Sequence, residues 1–202
     1  VDGVFNHCGS FHKWMNRERL YRREEGYEPG AYELEDSPYR NYFRFSSQHW
    51  PDNGSYEGWW GHETLPKLNY EDSRELWEDA LRIGRKWVSA PYGVDGWRLD
   101  VAADLGHSLE TNHEFWRQFR EEVRKANPEA VVLAEHYDDP YPWIRNGEWD
   151  TVMNYGAFME PVTWYLTGME KHSDAHRPDL LANGAAFWGA MQANMPKLGS
   201  GL

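Results

Sequence analysis

A single cysteine, Cys8, stands in 202 residues, which excludes an internal disulfide framework and leaves the fold to be held by packing. No run of about 18 apolar residues occurs, so no segment reads as a membrane-spanning helix. Basic residues are in short supply: 21 Lys and Arg stand against 33 Asp and Glu, a formal net charge of -12. With no basic stripe to meet phosphates, nucleic acid and anionic membrane are poor partners, and a neutral or cationic ligand is expected. Internal repeats, low-complexity segments and flexible linkers are also missing. The scattered histidines His49, His62, His107, His113, His172 and His176 lack the spacing of a metal cluster, so no metal site is expected from them. The chain opens on valine inside an apparent strand and reads as a piece of a longer protein. Its compartment stays open, with cytoplasm expected ahead of secretion.

What is abundant is aromatic. Twelve tryptophans, twelve tyrosines and eight phenylalanines make up 16% of the chain. Such rings fill cores, and they also suit a ligand with apolar faces and polar edges, such as a sugar.

Periodicity organises the chain. VDGVFN alternates Asp2, Val4 and Asn6 against Val1, Gly3 and Phe5, a strand pattern closed by His7. Residues 8–68 show no sustained period, and an irregular stretch of this length in a compact domain suggests an inserted subdomain. Leu76, Trp77, Ala80, Leu81, Gly84, Trp87 and Val88 then recur at helical spacing between the NYEDS cap and Ala90-Pro91. VDGWRLD reads as a strand. A capping box at Thr111 and Glu114 predicts a second helix carrying Phe115, Phe119 and Val123 and ending at Asn127-Pro128. AVVLAE reads as a fully buried strand and DTVMNY as another, before a weakly patterned helical tail. Strands alternating with helices predict an α/β fold with a parallel sheet.

In VDGWRLD an arginine and an aspartate share one face with Val94 and Gly96. In a barrel of parallel strands the inward face at the C-terminal strand ends carries the chemistry. The same count puts Val131, Leu133 and Glu135 inward on the next strand, so Asp100 and Glu135 are expected side by side. Neighbouring strands lie about 4.8 Å apart, which matches the roughly 5 to 5.5 Å carboxyl separation of retaining glycosidases. Arg98 would keep Asp100 ionised as a nucleophile. Glu135, leaving an apolar run beside a like charge, would be protonated and serve as the acid. A different enzyme reading uses both carboxylates as Mg²⁺ ligands, against which Arg98 on the same face would repel the ion.

VDGVFNH, GWRLD and LAEH resemble three conserved regions of the α-amylase family (glycoside hydrolase family 13). LPKLN, residues 65–69, resembles the region that marks its neopullulanase and cyclomaltodextrinase branch, and VMNY resembles that branch's sixth strand. The resemblance implies strands three to six of a (β/α)₈ TIM barrel: strand three at 1–7, an inserted B domain at 8–68, and a barrel segment from helix three to about helix six at 69–202. It implies Asp100 as nucleophile, Glu135 as acid/base, Arg98 as the group orienting the nucleophile, and His7 as a hydrogen-bonding partner of the attacked sugar. Asn6 is implied to lie near a structural Ca²⁺, and Asp2 to support the strand end. Ala103 and Asp104 stand where calcium-bearing relatives have Lys-His, so the histidine ligand is missing and no cofactor is required. The third carboxylate of the family is implied beyond Leu202. Implied partners are α-glucan oligosaccharides and, for the full-length protein, a second copy in a homodimer. The reading from another class is a non-catalytic carbohydrate-binding relative that kept the barrel. Trp59 and Trp60 are expected to pack the insertion onto the barrel, with a sugar platform as the alternative; Lys67 and Asn69 are expected to fix the turn into the barrel.

Overall fold

The computed structural model describes residues 1–46, 55–171 and 173–195; His49 and His172 lie outside them. Four strands, β1 (Asp2–Gly3), β2 (Gly96–Leu99), β3 (Val131–Ala134) and β4 (Thr151–Val152), pair in that order, all parallel. Helices α1 (Arg74–Val88) and α2 (Leu109–Ala126) cross between the first three strands, and the short α3 (Tyr141–Arg145) precedes β4. A π-helical turn, Tyr155–Met159, leads into α4 (Glu160–Thr167), followed by α5 (Gly184–Asn194). No helix among the described residues is long and apolar enough to cross a membrane.

Both long helices form for the reasons the sequence supplies. Ser73 caps α1 by accepting from the Leu76 N–H, and Leu76, Trp77, Ala80, Leu81, Gly84 and Val88 are its buried stripe. The capping box expected at Thr111 is corrected. The cap of α2 is Ser108, which accepts from the Thr111 N–H, so the helix starts before that box. Asn112 lies inside the helix, where its buried amide donates to the carbonyls of Ala102, Ala103 and Leu105 and accepts from Trp143. These bonds anchor the first turn and satisfy loop carbonyls that burial would otherwise penalise.

The outer face of the sheet meets the helices through aromatics. Phe5 lies edge-on to Phe119 at 5.0 Å and to Trp97 at 5.4 Å, and Phe115, Trp116 and Phe119 are fully buried. Gly84 permits this approach, since a Cβ there would sit 2.6 Å from the Phe119 ring. At Gly96 a Cβ would drive into the Val131 carbonyl, so only glycine allows β2 and β3 to pair at that point.

β3 is not fully buried, contrary to its unbroken apolar sequence. Val132 and Ala134 face the helices, while Val131, 44% exposed, and Leu133 lie on the other face. That second face carries Arg98 on β2. β1 is short: alternating burial holds from Asp2 to Phe5, after which Asn6 and His7 are both buried. Residues 8–46 and 55–68 are built from turns, short 3₁₀ segments and single antiparallel bridges such as His7 with Lys67.

Candidate active site

The register of β2 and β3 pairs Arg98 with Leu133 and Leu99 with Ala134, so Asp100 and Glu135 are the next residues on adjacent strands. Their backbones are pinned there, Asp100 N–H to the Gly3 carbonyl at 3.0 Å and Glu135 N–H to the Leu99 carbonyl at 2.8 Å. The two side chains meet the same guanidinium, that of Arg98, from neighbouring strand ends. Period-two counting therefore located the pair.

Arg98 ties the strand ends together. Its Nη1 donates to Asp100 Oδ1 at 2.7 Å and to Asp2 Oδ1 at 2.9 Å, and its Nη2 lies 2.9 Å from Glu135 Oε2. Nε approaches Met153 Sδ, just after β4, at 3.4 Å. One planar guanidinium thus contacts a residue at or after each of the four strands, a task for which a lysine ammonium is the wrong shape.

The protonation expected for Glu135 is corrected. Burial favours the neutral acid, but the Val101 N–H at 3.1 Å, the Arg98 charge and the Tyr137 hydroxyl at 3.1 Å outweigh it, and the pKa lies below the ordinary carboxylate value. Local sequence shows the apolar run before Glu135 but not the donors that converge on it. Three donors to Glu135, Val101, Tyr137 and Tyr155, carried no expected role. Val101 holds a left-handed backbone, φ 37 and ψ 48, which is unusual for a β-branched residue and aims its N–H at Glu135. Tyr155 donates to Glu135 Oε1 at 3.3 Å and stacks on Tyr137 at 4.4 Å with the rings 3° from parallel. The only sequence signal for Tyr155 was its place at the end of VMNY.

His7 and Asn6 are both buried. The Asn6 amide donates to His7 Nδ1 at 3.2 Å, which leaves the ring proton on Nε2. Burial lowers the His7 pKa despite Asp100 nearby, so the ring is neutral. His7 stacks on Trp59 at 5.0 Å, 9° from parallel, and Trp59 Nε1 donates to Asp104 Oδ2 at 2.8 Å. Lys67 Nζ donates to Asn6 Oδ1 at 2.8 Å and to the Asp104 carbonyl at 2.7 Å. Asn69 accepts from Arg44 Nε at 3.0 Å. His107 joins the irregular segment to the barrel, its Nε2 2.8 Å from Glu57 and its Nδ1 2.8 Å from Glu71.

The residues present do not fit a calcium ion at Asn6. Its side-chain oxygen and the Asp104 carbonyl already hold the Lys67 ammonium, a cation that would repel a second one. Among the described residues no group of three or more His, Cys, Asp or Glu side chains is arranged to hold a metal.

His7, Trp59, Trp60, Asp100, Glu135 and Tyr137 open onto one cavity of about 820 Å³. Carboxylates, an arginine and aromatic walls at the C-terminal ends of consecutive parallel strands define the site of a (β/α)₈-barrel protein. The chain belongs to the alpha-amylase family: the model of the alpha-amylase catalytic domain matches residues 1–183. It is 33% identical over 161 residues to a maltogenic alpha-amylase of Bacillus acidopullulyticus, covering 77% of this chain and 23% of that protein. It is 31% identical over 185 residues to neopullulanase 2 of Thermoactinomyces vulgaris, covering 89% and 28%. The acarbose-soaked crystal structure of a Nostoc punctiforme debranching enzyme superimposes with a TM-score of 0.71 at 27% identity, over 98% of this chain and 40% of that one. The chain thus spans about a quarter of the length of these curated relatives, and its sheet is part of a (β/α)₈ barrel.

Proposed function

We propose that this chain carries the catalytic centre of an enzyme that hydrolyses α-glucosidic bonds with retention. The observation that carries the reading is the placing of Asp100 and Glu135 one residue past paired positions of adjacent parallel strands, about 4.8 Å apart, with both carboxylates on one guanidinium. Inverting enzymes need roughly 6.5 to 9.5 Å between carboxyl groups to seat a water, whereas retaining enzymes bring them to about 5 to 5.5 Å. Asp100, held by Arg98, attacks the anomeric carbon as the bond to the leaving oxygen breaks. Glu135 gives that oxygen its proton. It then takes a proton from a water whose oxygen displaces Asp100, returning both groups to their starting states.

In the resting site Glu135 is a carboxylate. A bound glucan excludes water, which strengthens the burial already opposing its charge and moves it toward the neutral acid the first step needs. Neutral His7, donating from Nε2, suits a sugar hydroxyl. Asn6 and Lys67 hold the loop beneath it, and the enzyme works without calcium. Relatives named maltogenic amylase, cyclomaltodextrinase and neopullulanase support maltooligosaccharides, cyclodextrins, pullulan or starch as substrates.

The test is leaving-group dependence in the full-length enzyme. Glu135→Gln should cost about 10² to 10⁴-fold in kcat on maltoheptaose and far less on an aryl α-maltoside whose phenolate departs unaided. Equal losses on both substrates contradict the acid/base role.

A further inference from the structure

Trp59 and Trp60 share a turn but not a fate. The turn at residues 58–66 is closed by Trp59 N–H to the Leu65 carbonyl and Gly61 N–H to the Gly58 carbonyl. Gly58 is required because a Cβ there would strike the His62 carbonyl, and Gly61 takes φ 78. Trp59 is explained by packing: it stacks on His7 and its ring N–H is bound by Asp104. Trp60 is not. Its backbone is left-handed, φ 51 and ψ 28, and its side chain is 81% exposed. A bulky residue in that conformation costs of order 1–3 kcal/mol, which persists only where the surroundings impose it. Packing within the chain does not repay that cost. The ring leans on Trp59 at 5.2 Å, 31° from parallel, and lines the cavity that holds Asp100 and Glu135.

We infer that Trp60 is a binding platform for a glucosyl unit of the substrate beyond the one attacked. The stack His7, Trp59, Trp60 leads from the carboxylates to the cavity rim in two ring spacings of 5.0 and 5.2 Å. A pyranose ring offers an apolar C–H face to the indole, and its hydroxyl edge meets the carboxylates of Asp104 and Asp138 in the same lining. The platform favours chains of several units over short ones. This inference deepens the hydrolase reading and rests on it for the identity of the sugar.

The experiment uses the full-length protein with Asp100→Asn to block turnover, and follows maltoheptaose binding by calorimetry. Trp60→Gly removes the ring and also accepts φ 51 without strain. It should weaken the Kd about tenfold or more, with an unchanged or raised melting temperature, and Trp60→Phe should recover most of the affinity. An unchanged Kd in Trp60→Gly overturns the platform. So does a lowered melting temperature with affinity that Trp60→Phe fails to restore, which would mark the ring as structural. Absence of maltoheptaose binding with Trp60 intact overturns it as well. The hydrolase reading is judged separately: a protein that binds maltoheptaose through Trp60 but cleaves no α-glucan refutes the chemistry and keeps the platform. Cleavage with Trp60-independent binding does the reverse.

Discussion

Replacing Arg98 with methionine keeps much of the side chain's apolar length and removes the charge that the site is built around. Three contacts go, at 2.7, 2.9 and 2.9 Å, to Asp100, Asp2 and Glu135. At an effective dielectric of about 20, charges 4 Å apart interact by roughly 4 kcal/mol. The Arg98 side chain is 31% exposed, so screening brings each pair to about 1 kcal/mol and the three to about 3 kcal/mol, near a 100-fold effect. Loss of orientation acts in the same direction, since a misplacement of about 1 Å can cost 10²-fold. The expected kcat of Arg98→Met in the full-length enzyme is therefore about 100-fold or more below wild type. The pH profile supplies a sign. Arg98 is among the influences that lower the Glu135 pKa, so its removal raises the proton affinity of Glu135, and the alkaline limb of kcat/KM against pH, where the acid loses its proton, moves to higher pH. The assay is reducing-end release from maltoheptaose across pH, with circular dichroism to verify folding. A folded Arg98→Met protein with an unshifted profile and kcat within threefold of wild type would refute the reasoning.

Two further expectations test the frame and the loop beneath the site. Gly96→Ala places a methyl against the Val131 carbonyl, where neither backbone can yield without breaking the β2–β3 pairing; destabilisation of about 3 kcal/mol or more, or loss of soluble protein, should be seen by thermal or urea unfolding. Lys67→Ala strips the Nζ donor from the buried Asn6 side-chain oxygen and should lower stability by about 1–3 kcal/mol, whereas EDTA added to the wild-type protein should leave its melting temperature unchanged.

Much of this was readable from the chain, and what escaped was long-range. Helical spacing in α1 and the period-two face of VDGWRLD are local patterns that packing reinforces, so Asp100, Glu135 and Arg98 fell where counting put them. The start of α2 escaped because two capping residues, Ser108 and Thr111, stand three apart, and the choice is made by loop carbonyls and Trp143 that bind Asn112. Val101 escaped because its left-handed backbone opposes the preference of a β-branched residue. The charge state of Glu135 is set by burial against the Val101 N–H, the Arg98 charge and the Tyr137 hydroxyl, which come from two strand ends. No window of sequence displays that sum.

The central claim, that Asp100 becomes covalently attached to the sugar, is tested most directly by trapping. With Glu135→Gln in the full-length enzyme, an α-glucosyl fluoride needs no acid to leave, but hydrolysis of the adduct lacks its base, so the intermediate should accumulate. Mass spectrometry of the intact protein should show the added glucosyl mass, and peptide mapping should place it on Asp100, with no adduct in the Asp100→Asn, Glu135→Gln double variant. Turnover of the fluoride by Glu135→Gln with no covalent adduct, or an adduct on any residue other than Asp100, would contradict the account.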